Sequence, residues 1–163
     1  MDVSERMRTK LVLAKPDCDF KRLLCKIVDT VPRVAYIVDE NYKLLGIVSA
    51  VDLLREVVPS YLNADLARSL TDGADFLHKQ VEKVKNKCAQ DIMVTTFSFL
   101  LPHHQVLKAD AMIAEGGFNT LPVVDEQGKL LGEITRLDIL LHLVNNCSDY
   151  NLNDKGLVDL SLL

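Results

Sequence analysis

Two four-residue segments concentrate the polar chemistry of this chain: Ser49-Ala50-Val51-Asp52 and Thr135-Arg136-Leu137-Asp138. Each places a hydroxyl three positions ahead of a carboxylate, at the end of an apolar run. That spacing lets the pair cap a helix start reciprocally, the hydroxyl taking a backbone N–H of the first turn while the acid reaches back. The same geometry suits a phosphorylated sugar. A helix N-terminus presents unpaired N–H groups and the positive end of its dipole to an anion, the hydroxyl adds a donor, and a nearby acid accepts from a ribose diol. The two roles are compatible.

Other candidates for chemistry are poorer. His103 and His104 follow Pro102 near a helix start, but adjacent helical side chains do not share a face, so they read as surface residues rather than metal ligands. His78 and His142 are isolated on helices. Cys18, Cys25, Cys88 and Cys147 form no CxxC pair and no metal knuckle, which leaves them as reduced core or surface thiols. There is no Gly-rich phosphate loop, zinc-protease helix or GxSxG elbow, and no nucleophile can be paired with a base. A non-catalytic protein is expected.

The elements that must position the two segments repeat along the chain. An ungapped offset of 86 residues aligns the halves, and nine of the nineteen positions from Tyr36 to Leu54 are identical to their counterparts, where chance gives about one. Met7 pairs with Met93, Thr9 with Thr95, Pro16 with Pro102 and Ile27 with Ile113. Each unit opens on an extended stretch, at residues 10–13 or 96–100, that a proline ends. A helix follows, with Phe20, Leu23, Leu24, Ile27 and Val28 at i, i+3, i+4, i+7, i+8, and more weakly Val106, Ala109 and Ile113. Two apolar runs separated by a polar turn then predict a hairpin, at 34–38 and 44–48 or 121–124 and 130–134. A second helix starts at Ser49 or Thr135. The order is β-α-β-β-α, twice, and units this small are expected to pack face to face about a pseudo-twofold axis.

The expected organisation is 1–58 for the first repeat, 59–88 for a helical connector, 89–147 for the second repeat and 148–163 for an apolar C-terminal tail. In the connector Leu66, Leu70, Leu77, Val81 and Val84 fall at helical spacing, interrupted near Gly73, and predict amphipathic helices that cover the protein or its dimer. With 48% hydrophobic residues the chain can build a core unaided. A net charge of −4 supplies no basic field for nucleic acid or anionic lipid, so neither is an expected partner. No apolar run approaches the roughly 20 residues that span a bilayer, and the N-terminus leads into no signal-type segment, so the expected location is cytoplasmic, without membrane association.

The repeats resemble the cystathionine-β-synthase-type (CBS) domain family. The likeness rests on Pro122-Val123-Val124-Asp125, Gly132-Glu133-Ile134, Thr135 to Asp138 and the Asp91-Ile92-Met93 lead-in, and it extends over about 115 residues. It implies an α+β fold of two such repeats packed sheet to sheet, joined here by the helical insert. It also implies a cleft between repeats that binds AMP, ADP, ATP or an S-adenosyl compound as a regulatory ligand, no cofactor being required. Aspartate would hold the ribose, and Ser/Thr would lie near the phosphate. Repeat 1 departs from the pattern, with Tyr36 where Pro122 stands and Glu5-Arg6-Met7 for the lead-in.

The resulting expectation is a nucleotide sensor that forms a homodimer and signals to an effector protein the sequence does not name. The rival is a ligand-free dimerisation scaffold in which the Ser/Thr-x-x-Asp segments only cap helices. Of the two sites, Thr135, Arg136 and Asp138, with backbone groups of Asn119, Thr120 and Leu121 beside Pro122, are expected to bind more tightly than Ser49 and Asp52. The reason is that Arg136 can pair with phosphate where repeat 1 has Ala50.

Overall fold

A computed structural model describes residues 1–146; Cys147 and the predicted tail lie outside the described residues. Repeat 1 comprises β1 (Leu13–Ala14), α1 (Phe20–Val28), β2 (Val34–Val38), β3 (Leu44–Ser49) and α2 (Ala50–Val57). The connector holds α3 (Ala64–Arg68) and α4 (Gly73–Val84), and α5 (Ala89–Ile92) leads into repeat 2. That repeat continues with α6 (Val106–Gly116), β4 (Thr120–Val124), β5 (Leu130–Thr135) and α7 (Arg136–Asn146). The class is α+β. The first sheet runs β1-β2-β3, with β1 parallel and β3 antiparallel to β2. The second is the β4-β5 hairpin, with Leu100 bridging Val123 in parallel where β1 would stand.

The local causes are ordinary. Asp19 caps α1 by accepting from the Arg22 N–H at 2.9 Å, and Phe20, Leu23 and Ile27 bury the apolar stripe under β2 and β3. Leu24 and Val28, expected in the same stripe, are exposed because they lie on its flank, along an apolar groove between α1, α2 and α4. Gly117 ends α6 in the left-handed conformation, φ 65°, its N–H closing onto the Ile113 carbonyl. The connector is uneven. Val84 is buried and Val81 half-buried against repeat 1, whereas α3 buries nothing, and Leu66 on it, Leu70 after it and Leu77 on α4 are exposed.

The two sheets face each other across a third apolar cluster: Val34, Tyr36, Val38 and Leu44 from repeat 1 meet Val124 from repeat 2, with Phe97 and Leu130 at the margin. The hairpin turns interlock there, Leu44 donating to the Gly128 carbonyl at 3.0 Å and Leu130 to the Tyr42 carbonyl at 2.9 Å. These two bonds are related by the 86-residue offset.

The extended stretches expected at 10–13 and 96–100 are mostly not paired within their own sheets. The chain just ahead of them crosses over: Arg8 pairs with Glu133 on β5 and Val94 with Ile47 on β3, so each lead-in adds to the other repeat's sheet. Only the few residues before Pro16 and Pro102 are left for the home sheet. The turns ahead of the lead-ins cross over as well. Val3 donates to the His104 carbonyl and Ala89 to that of Cys18, both at 2.8 Å.

This exchange explains the glycine both repeats carry. A Cβ on Gly132 would lie 2.6 Å from the Arg8 carbonyl oxygen, and one on Gly46 would lie 2.6 Å from the Met93 sulfur. The backbone oxygen cannot turn aside, and although the Met93 thioether can, the Met93 Cβ, 2.9 Å away, is fixed by its own backbone. Gly132→Ala and Gly46→Ala are therefore each expected to cost about 1–3 kcal/mol, read from urea midpoints.

Candidate functional site

Ser49 ends β3 and caps α2, and Thr135 ends β5 and opens α7. In repeat 1 Ser49 N–H and Oγ both donate to Asp52 Oδ2 at 2.7 Å, and Asp52 N–H returns to Ser49 Oγ at 3.3 Å. Repeat 2 repeats this, with Thr135 N–H and Oγ1 donating to Asp138 Oδ2 at 2.9 and 2.6 Å. Each helix start is also fastened to the first strand of its own hairpin, Ala50 N–H to the Arg33 carbonyl at 3.1 Å and Arg136 N–H to that of Asn119 at 2.9 Å. Both segments are thus capping boxes. What separates them is the second carboxylate oxygen. Asp52 Oδ1 has Arg55 only at 4.0 Å, on the exposed side of α2. Asp138 Oδ1 is held by Arg8 Nε at 2.8 Å.

Ser49 and Asp52 open onto a cavity of about 380 Å³ between the repeats. Val34 and Ile47 line it from repeat 1, Val94 and Thr96 to Ser98 from the exchanged lead-in, and Phe118 to Pro122 from repeat 2. The volume falls within the usual range for small-ligand clefts, and the walls join an apolar slot to a polar end at a helix N-terminus.

This placement regroups the sequence-predicted residues. Asn119, Thr120, Leu121 and Pro122, expected to serve Thr135 and Asp138, line the cavity of Ser49 and Asp52 instead, because the pseudo-twofold axis turns the edge of each repeat toward the other's motif. Arg136, expected to meet a phosphate, has other partners in this structure. Its guanidinium donates to the carbonyl oxygens of Gly117 and Phe118 at 3.1 Å, in the turn that follows α6. His104 accepts the Leu101 N–H on Nδ1 at 3.0 Å and closes the turn ahead of α6. Cys18 is buried, which raises its thiol pKa, while Cys25 is exposed.

Sequence reasoning missed a buried polar cluster between the sheets. Tyr36 hydroxyl donates to Glu133 Oε2 at 2.6 Å, Thr120 hydroxyl donates to the same oxygen at 3.0 Å, and the two hydroxyls are 3.1 Å apart. Tyr36 is 1% and Glu133 3% exposed. A signal for it did exist. Tyr36 replaces Pro122 and Glu133 replaces Ile47 at equivalent positions, so two breaks in the repeat fall on strands that meet.

Burial raises the Glu133 carboxyl above its ordinary 4.5, against the lowering effects of Tyr36, Thr120 and Arg8. For an acid raised on folding, the native state holds the proton longer than the unfolded chain. The stability this contributes is full below 4.5 and is lost as pH rises through the raised value. Relative to Glu133→Gln, the wild-type protein is expected to lose stability across that window, in urea midpoints taken from pH 4 upward. A difference independent of pH would show that Glu133 ionises normally.

Two related β-α-β-β-α units, each completed by the other's lead-in, with a ligand-sized cleft lined from both, define a tandem regulatory-type binding module. The CBS domain family matches residues 2–59 and 89–145, and the chain belongs to that family. A curated relative, the uncharacterized protein MJ0188 of Methanocaldococcus jannaschii, is 30% identical over 85% of this chain and 42% of its own length. The chloroplastic CBS domain-containing protein CBSX2 of Arabidopsis thaliana is 28% identical over 82% of this chain and 58% of its own. The chain thus spans about half the length of these relatives. The crystal structure of CBSX2 in complex with AMP superposes with a TM-score of 0.67 at 26% identity, covering 89% of this chain and 97% of that one. A CBS domain-containing protein of Bacillus anthracis shares the fold at TM-score 0.71 and 17% identity, over 90% and 95% of the two chains. Among the described residues no helix is long and apolar enough to cross a membrane.

Proposed function

We propose that the chain is a non-catalytic regulatory module that binds an adenosine-containing nucleotide in the Ser49–Asp52 cleft. The observation that carries this is the cleft itself: a hydroxyl, a carboxylate with an uncommitted oxygen and a helix N-terminus meet at one end of an apolar slot built from both repeats. Asp52 Oδ1 accepts from the ribose diol, Ser49 and the start of α2 face the phosphate, and the slot takes the base. The solved AMP complex of CBSX2 supports the choice of ligand class. Nucleotide occupancy then biases the arrangement of repeats or subunits and passes that difference to an effector.

Thermal unfolding with AMP, ADP, ATP and S-adenosylmethionine tests this, since a ligand at a hundred times its dissociation constant stabilises by about 2.7 kcal/mol. No shift with any of the four would favour a second reading, a ligand-free scaffold. That reading is supported by the complete internal capping of both motifs.

The scaffold and sensor readings share one expectation, a homodimer. Leu107, Leu137, Leu140 and Leu143 on α6 and α7 are all about half exposed or more, forming an apolar face that a second copy can cover. Sedimentation at micromolar concentration is expected to give twice the chain mass; a monomer would contradict it.

A further inference from the structure

The 86-residue offset maps every wall of the Ser49 cleft onto a counterpart, so the protein has a second, twin cleft that ought to present Thr135 and Asp138. It does not. The twin cavity has a volume of about 260 Å³, below the usual range for ligand clefts, and neither residue lines it. Its lining includes Lys10, Leu11, Val12, Pro32, Val34 and Glu133.

Two differences account for this. Where the Ser49 cleft has Val94, the twin has Arg8, whose Nε lies 2.8 Å from Asp138 Oδ1. The other oxygen of Asp138 takes the Thr135 N–H and hydroxyl, so both oxygens are engaged and a ribose would have to compete with the Arg8 guanidinium. Where the Ser49 cleft has Ile47, the twin has Glu133, anchored through Oε2 by Tyr36 and Thr120. A buried carboxyl group there removes the apolar surface a base would lie on.

We propose that Arg8 and Glu133 close the twin cleft, so that the module holds one nucleotide per chain and Arg8 acts as a built-in occupant of Asp138. This rests on reading the Ser49 cleft as the nucleotide site, and the test separates the two. Titration calorimetry with AMP is expected to give one equivalent per chain for the wild-type protein; two equivalents would overturn the closure. Arg8→Val/Glu133→Ile, which copies the walls of the Ser49 cleft into the twin, is expected to add one equivalent, and an unchanged count would overturn it. If the wild-type protein binds no AMP, the reading of the Ser49 cleft fails, while the closure is still judged on the double variant: one new equivalent upholds it and none overturns it. Should the double variant not fold, Asp138→Ala in the wild-type background decides. Affinity within about twofold of wild type is expected, and a loss of about tenfold would show that Asp138 touches the ligand.

Discussion

Tyr36→Ala is expected to lower stability by about 4–5 kcal/mol, the upper end for truncating a buried aromatic residue. The ring is 1% exposed and fills the space between the two sheets, against Val34, Val38, Leu44 and Val124. Its removal leaves a cavity at the seam that joins the repeats, and it also takes the shortest hydrogen bond from the buried Glu133 carboxylate. Tyr36→Phe separates the two contributions. It keeps the ring and loses only the hydroxyl, so about 1–3 kcal/mol is expected from the under-satisfied Glu133 and Thr120. Urea unfolding of both variants, with m-values checked for two-state behaviour, gives the comparison. Equal losses would mean that the polar network, not the packing, holds the sheets together.

Asp52→Ala is expected to weaken AMP binding by about tenfold to a hundredfold, because hydrogen bonds involving a charged partner contribute about 1.5–3 kcal/mol. The measurement has to be a dissociation constant rather than a melting shift. Removing Asp52 also removes half of the α2 capping box and lowers stability by about 1 kcal/mol on its own. Ser49→Ala is expected to cost less, since a neutral hydroxyl is lost. If Asp52→Ala binds AMP as tightly as the wild-type protein, the ligand lies elsewhere.

That ranking reverses the one read from the sequence, and the reason is geometric. Neighbouring residues of one repeat, Asn119 to Pro122 and Thr135 to Asp138, were grouped because they are close in the chain and paired in one hairpin. Spacing along a chain describes a single unit. It cannot say which edge a pseudo-twofold axis turns toward which motif, and that is what brings Asn119 to Pro122 to Ser49. The partners of Arg136 were hidden for a related reason: an exposed guanidinium goes to nearby acceptors, here the Gly117 and Phe118 carbonyls in the turn after α6, and nothing in its spacing names them. The architecture was far more legible. The β-α-β-β-α order followed from alternating runs, prolines and turns, whereas the reason both repeats carry Gly46 and Gly132 became visible only with the crossing segments in place. Tyr36 stood out as a break in the repeat, while Glu133 passed unmarked within the Gly132-Glu133-Ile134 strand. Their pairing required knowing that the sheets face each other.

The reciprocal exchange of lead-ins also governs when the protein can fold. Arg8 finds its strand partner, Glu133, only after 125 further residues have been made, and Val3 waits for His104. A ribosome releasing this chain therefore delivers a first repeat whose own sheet can form but whose opening segment has nothing to dock on. The usual vectorial order, in which one unit is finished before the next appears, is unavailable to it. Contacts this distant in sequence slow folding by the cost of closing long loops. The nascent first half, with the seam around Tyr36 still open to water, is the species most exposed to misassembly until the second half arrives.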